Sequence, residues 1–203
     1  MEFFRRATVP TTRLGVLPGT FNPVTVAHLA LAESALAHVD EVLFVLPRRL
    51  PHKVYAGASF EERVEMLAAS TAAETRWSIA GADGGLFLEI ADECRSVYGV
   101  DTQLSFICGR DAAERIVSWD YGRPGAVEEM LRRFHLLVAR RQGAYAGGGR
   151  LGGAVKELAV ERDYDAVSAS EVRERIRRGE PWEHLVPAGV REMARRIYGA
   201  TGS

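Results

Sequence analysis

The chain has 203 residues, 47% of them hydrophobic and 26% charged, enough for one well-buried domain with a small appendage and short for two independent ones. Its formal net charge is -1, from 26 Lys and Arg against 27 Asp and Glu, without the basic excess that marks proteins coating a nucleic acid polymer. No stretch approaches the roughly 20 apolar residues that span a bilayer, residues 1–12 lack the apolar core of a secretory signal, and Cys94 and Cys108 have neither CxxC spacing nor a histidine placed to complete a zinc site; a cytoplasmic protein with reduced, buried thiols and no membrane partner is expected.

In chain order, residues 1–12, with Arg5, Arg6 and Pro10, read as a tail of limited order. Leu14-Gly15-Val16-Leu17-Pro18-Gly19-Thr20-Phe21-Asn22-Pro23-Val24-Thr25-Val26-Ala27-His28 reads as a short apolar strand, a loop of small and turn-forming residues, and a helix whose first turn carries a histidine. Such a junction suits a phosphate, because the helix start offers unpaired N–H groups and the positive end of its dipole. The spacing Leu29, Ala32, Leu36 carries the helix to about Val39. Residues 42–46 are a continuous apolar run, as in a parallel strand covered on both faces, and complete a βαβ unit. That strand spills into Arg48-Arg49-Leu50-Pro51-His52-Lys53, a basic segment leaving the same carboxyl edge of the sheet, where ligands of open α/β sheets bind.

Ser59 and Glu62 have capping-box spacing at the next helix start. Residues 77–80 form a short third strand, residues 83–85 a turn, and Phe87, Ile90, Ala91, Cys94, Val97 and Tyr98 a helix ending near Gly99. Residues 104–108 are a buried strand opening into Gly109-Arg110-Asp111, where glycine admits close backbone approach and the carboxylate can accept from a ribose hydroxyl. Trp119 is either a stacking platform for a flat heterocycle or a plug over the core. Residues 126–134 read as a helix and 135–140 as a strand; Arg140 and Arg141, like Arg48 and Arg49, stay unassigned charge, and the glycine-rich residues 143–153 read as a surface loop. Ser168 and Glu171 form a second capping box. Ser170 and Arg173 share one face of that first turn, where the dipole favours an anion; the alternative is a surface serine and an arginine paired with Glu171 or Glu174. The expected fold is α/β, a Rossmann-like doubly wound parallel sheet over residues 13–165, followed by a small C-terminal helical module over 166–203 that completes the site.

The segment Gly19-Thr20-Phe21-Asn22-Pro23-Val24-Thr25-Val26-Ala27-His28 resembles the nucleotidylyltransferase superfamily signature G-x-F-x-P-x-[HT]-x-x-H. Further along, Pro51-His52-Lys53 resembles the P-P-H-K of bacterial members, Gly109, Asp111 and Trp119 their G-x-D and following tryptophan, and residues 167–173, V-S-A-S-E-V-R, their I-S-S-T-x-x-R. From Leu14 to Ile197 the chain is similar to the nicotinate or nicotinamide mononucleotide adenylyltransferases. It has Ser96-Val97-Tyr98-Gly99-Val100-Asp101-Thr102 where that family carries S-Y-T-x-x-T-L, which leaves the acceptor open between the two pyridine mononucleotides and another phosphorylated molecule such as phosphopantetheine. A nucleotide-binding regulatory protein without turnover is the alternative from another class.

The resemblance implies attack by a mononucleotide phosphate on the α-phosphorus of ATP, releasing pyrophosphate. It implies His28, Ser170 and Arg173 as the catalytic set. Gly19, Thr20 and Phe21 would receive the triphosphate, with Thr25, His28, Gly109, Asp111, Ser170 and Arg173 completing the ATP site, and Lys53 and Trp119 would hold the acceptor. Mg²⁺ would arrive on the ATP phosphates, with no protein metal ligands. ATP and a mononucleotide are the expected partners, and a homo-oligomer stays open.

Overall fold

The computed structural model describes residues 1–49, 57–118, 124–139, 152–160, 164 and 166–199. Among these residues seven strands form one sheet in the order β1-β4-β3-β2-β5-β6-β7. They are β1 (Glu2–Arg5), β2 (Arg13–Pro18), β3 (Glu41–Pro47), β4 (Trp77–Ala82), β5 (Gln103–Cys108), β6 (His135–Ala139) and β7 (Val155–Leu158). All neighbouring pairs are parallel except β1 with β4. Without β1, the strands run third, second, first, fourth, fifth, sixth in chain order. That is the doubly wound Rossmann arrangement, and it puts the reversal of direction between β2 and β5.

Both faces of this sheet are covered, so its inner strands β2 to β6 are apolar at most positions. The period of two sends Val42, Phe44 and Leu46 to one face and Leu43 and Val45 to the other. On the first face lie α1 (Val26–Ala35), α2 (Phe60–Thr71), α6 (Ala169–Arg178) and α7 (Arg191–Gly199), through residues such as Ala32, Met66, Val172 and Ala194. The second is covered by α3 (Phe87–Tyr98), α4 (Arg110–Ser118) and α5 (Ala126–Arg133), through Ile90, Ala113 and Met130. No helix among the described residues is long and apolar enough to cross a membrane.

The amino terminus differs from the sequence expectation. Residues 2–5 are not a tail but pair antiparallel with β4, Glu2 opposite Gly81 and Arg5 opposite Ile79. The driving force is the otherwise bare edge of β4, whose N–H and C=O groups need partners. Arg5 also donates to the Thr71 and Glu74 carbonyls, and Arg6 lies 4.8 Å over the Phe3 ring. At the amino edge of the sheet the buried Glu41 carboxylate accepts from Thr11 Oγ1, Ser78 Oγ and Tyr98 Oη, each at 2.6 Å. Burial, then that bond to Glu41, raises the Tyr98 pKa well above the usual phenol range. Three charge-assisted bonds satisfy a carboxylate that burial alone would make costly, and they tie the chain before β2 to β3, β4 and α3. Strand β7 and helix α4 are further elements the sequence pattern did not signal.

Candidate active site

At the carboxyl end of β2 the Gly19 N–H donates to the Val45 carbonyl of β3 at 3.0 Å, so the loop leaves along the top of the sheet. Phe21 turns the chain with φ at 48°, the one positive φ outside glycine among the described residues. Its ring folds back beneath the loop, 1% exposed, with its centroid 5.8 Å from that of Phe44 and 5.1 Å, edge-on, from the His28 ring. A Cβ on Gly19 would lie 2.7 Å from Phe21 Cζ, which is why position 19 carries no side chain. Phe21 thus lends the site its backbone while its ring is core.

Thr25 caps α1 in extended conformation, and His28, three residues on, reaches back as the glutamate of a capping box does. The Thr25 N–H donates to His28 Nδ1 at 3.0 Å, and Thr25 Oγ1 lies 2.8 Å from the same nitrogen. Since Nδ1 accepts, the proton of the neutral ring sits on Nε2. Loss of solvation lowers the His28 pKa from 6.5 to about 4, so the free protein holds a neutral imidazole at neutral pH. The first turn of α1 contains no carboxylate, leaving its dipole to an external anion. Below the loop, Arg63 of α2, 5% exposed, donates to the Thr20 carbonyl at 3.0 Å and to the Ser59 carbonyl at 3.3 Å.

Helix α6 supplies the other side. Ser168 Oγ accepts from the Glu171 N–H at 3.1 Å, as its spacing predicts. Glu171 pairs with Arg175 at 2.7 Å, and Glu174 with Arg177 and Arg178. Arg173 takes neither carboxylate: it donates to Ser170 Oγ at 3.2 Å and to the backbone carbonyl of Asn22. The sequence alternative of an acid-paired arginine is thereby replaced by a contact that joins α6 to the β2–α1 loop.

On the far side of the reversal point, the Gly109 carbonyl opens α4 by accepting from Ala112 and Ala113, both at 3.1 Å. Residues 109–111 are therefore a strand-to-helix junction. No described atom lies within 4 Å of a Cβ built on Gly109. Helices α1 and α4 thus both begin beside the crevice between β2 and β5, each able to present N–H groups to an anion. Asp111 falls in the first turn of α4; its side chain, together with Lys53, Trp119, Arg140 and Arg141, lies outside the described residues. Arg48 rests 4.3 Å over the Phe60 ring and pairs with Glu2, which binds β1 to the body.

Residues 96–98, which stand where the family carries the start of S-Y-T-x-x-T-L, lie at the amino edge of the sheet and not at its carboxyl edge. They are the last turn of α3, with Tyr98 on Glu41. What leaves the carboxyl edge after β4 is residues 83–86, where Glu93 accepts from the Gly84 N–H at 2.8 Å and Glu89 from the Gly85 N–H at 2.9 Å. The signal available in the sequence was the length of the strand, which carries on through Ala82.

Among the described residues no group of three or more His, Cys, Asp or Glu could hold a metal ion, and burial pushes both cysteine thiols up to about 12. What converges is a set of donors: loop and helix N–H groups, an imidazole N–H, a hydroxyl and a forked guanidinium. They suit a polyphosphate and the charge that gathers on a transferring phosphoryl group.

The family model for cytidylyltransferase-like proteins matches residues 16–175. A probable nicotinate-nucleotide adenylyltransferase from Moorella thermoacetica is 30% identical over 200 residues, covering 90% of this chain and 89% of the relative. One from Geotalea daltonii is 34% identical over 214 residues, covering 92% and 98%. Among solved structures, the nicotinic acid mononucleotide adenylyltransferase of Plasmodium falciparum complexed with NaAD has a TM-score of 0.71 at 15% identity, covering 91% of this chain and 96% of that one. That likeness speaks to the fold.

Proposed function

Given that the chain belongs to the nicotinate-nucleotide adenylyltransferase family of cytidylyltransferase-like proteins, we propose that it moves the adenylyl group of ATP to nicotinate mononucleotide, releasing pyrophosphate and forming the dinucleotide. The observation that carries this reading is the joining of the two donor clusters: Arg173, beside Ser170, donates to the same loop whose Thr25 N–H orients His28.

Both reactants are anions, so catalysis consists of bringing them together in line and stabilising charge. In this reading the Gly19–Phe21 backbone and the start of α1 receive the triphosphate of the magnesium complex of ATP, which enters as substrate, since the described residues offer no carboxylate cluster for the ion. The His28 Nε2–H donates to the α-phosphate oxygen as charge builds there. Arg173 and Ser170 bind the departing pyrophosphate, and the fork of the guanidinium matches two phosphate oxygens at once. The acceptor phosphate itself is the nucleophile, so no protein nucleophile is required. Asp111, Lys53 and Trp119 belong to the proposal on the strength of their motifs, for the ribose, the incoming phosphate and the acceptor base.

The test is pyrophosphate release from ATP and Mg²⁺ with nicotinate mononucleotide, nicotinamide mononucleotide or phosphopantetheine as separate acceptors. Turnover with nicotinate mononucleotide at the highest kcat/KM is the expected result. A higher kcat/KM with phosphopantetheine, or no release with any acceptor, overturns the proposal.

A further inference from the structure

Asn22 is the point at which four distant parts of the chain meet. Its Oδ1 accepts from Tyr198 Oη of α7 at 2.6 Å and from the Ala58 N–H at 3.2 Å, and its backbone carbonyl accepts from Arg173 of α6. Asn22 and Tyr198 are each 5% exposed. Gly57, with φ at 129°, brings its backbone so close that a Cβ there would lie 2.6 Å from Asn22 Nδ2. The carboxamide is therefore gripped from two sides by groups that water does not replace, and a gripped side chain fixes the orientation of its own peptide.

We infer that the Tyr198 hydroxyl is a positioning group for the phosphate site: through Asn22 it holds the loop carbonyl on which the Arg173 guanidinium rests. Helix α7 is the last element among the described residues, and this hydroxyl links it to the β2–α1 loop 176 residues earlier. By holding Asn22 the hydroxyl keeps Arg173 beside the triphosphate-binding backbone before any nucleotide arrives, so less reorganisation is left for the reaction. The inference rests on the proposed adenylyl transfer for what the positioned arginine does.

Tyr198→Phe removes the hydroxyl and keeps the ring in the core. Amide hydrogen exchange of the free protein should accelerate several-fold over residues 19–25 and stay unchanged over β5. Loss of one buried hydrogen bond should also lower kcat/KM for ATP by about three- to tenfold. In an Arg173→Lys background the same substitution should cost less than about twofold, because the group it positions is gone; a merely structural hydroxyl would cost equally in both backgrounds. Unchanged exchange over residues 19–25, unchanged kcat/KM, or equal losses in the two backgrounds each overturn the inference. If the unsubstituted protein releases no pyrophosphate with any acceptor, the proposed reaction fails, and the exchange rates, which need no substrate, decide the positioning role alone.

Discussion

Gly19→Ala tests how the loop is built. The added Cβ would lie 2.7, 2.9 and 3.0 Å from three atoms of the Phe21 ring, well inside van der Waals contact. The ring has little room to retreat, being 1% exposed and packed against Phe44 and His28. Overpacking of this kind costs about 1–3 kcal/mol, and for a chain of this length each kcal/mol lowers Tm by roughly 2–4 °C, so a fall of about 2–12 °C is expected by calorimetry. The displaced ring also pushes on His28, so kcat should fall with Tm. Phe21→Leu makes room, so the loss of stability in the double variant should be smaller than the sum of the single losses. A Gly19→Ala protein whose Tm stays within about 1 °C, or strictly additive losses, would refute the packing account.

His28→Ala should lower kcat by about two to three powers of ten with ATP binding much less affected, as for loss of one preorganised transition-state donor; unchanged turnover removes His28 from the mechanism. Arg173→Lys should lower kcat/KM by at least about tenfold, since a point charge lacks the fork, and near-normal kinetics would speak against direct phosphate contact. Between pH 6.5 and about 4 the unfolded chain carries a proton on His28 that the folded chain does not. Stability should therefore fall as the pH drops through that window, by at most about 3 kcal/mol, and urea midpoints of His28→Gln should show a shallower slope there. Arg63→Met removes the buried guanidinium that donates to the half-buried Thr20 carbonyl and should cost about 1–3 kcal/mol in urea unfolding.

Motifs whose residues lie close together in sequence were legible before any coordinates. The strand and helix junction at residues 14–28, the capping box at Ser59 and the N-cap at Ser168 depend on a few consecutive residues, and the structure reproduces them; the second half of the box expected at Ser168 does not form, because the Glu171 carboxylate turns to Arg175. The buried strands β3 and β5 stand out because a strand covered on both faces must be apolar throughout. Harder to see were the edge strands. β1 and β7 are four residues each and half polar in composition, and β1 finds its partner far along the chain, Glu2 opposite Gly81. Helix α4 hid behind Gly109, which looks like a turn until its carbonyl is seen to start a helix.

Sequence by itself determined the chemistry on offer: which donors exist, at the starts of α1 and α6, and in what order along the chain. Local spacing encodes caps and periodicity, and these involve neighbours that no fold can separate. Only the tertiary structure decided which groups meet. Glu171 and Glu174 stand as near to Arg173 in sequence as Ser170 does, yet they pair with Arg175, Arg177 and Arg178, while Arg173 turns to the Asn22 carbonyl 151 residues away. That choice follows from the packing of α6 and α7 over the sheet, and no local pattern encodes a contact between parts of the chain so far apart.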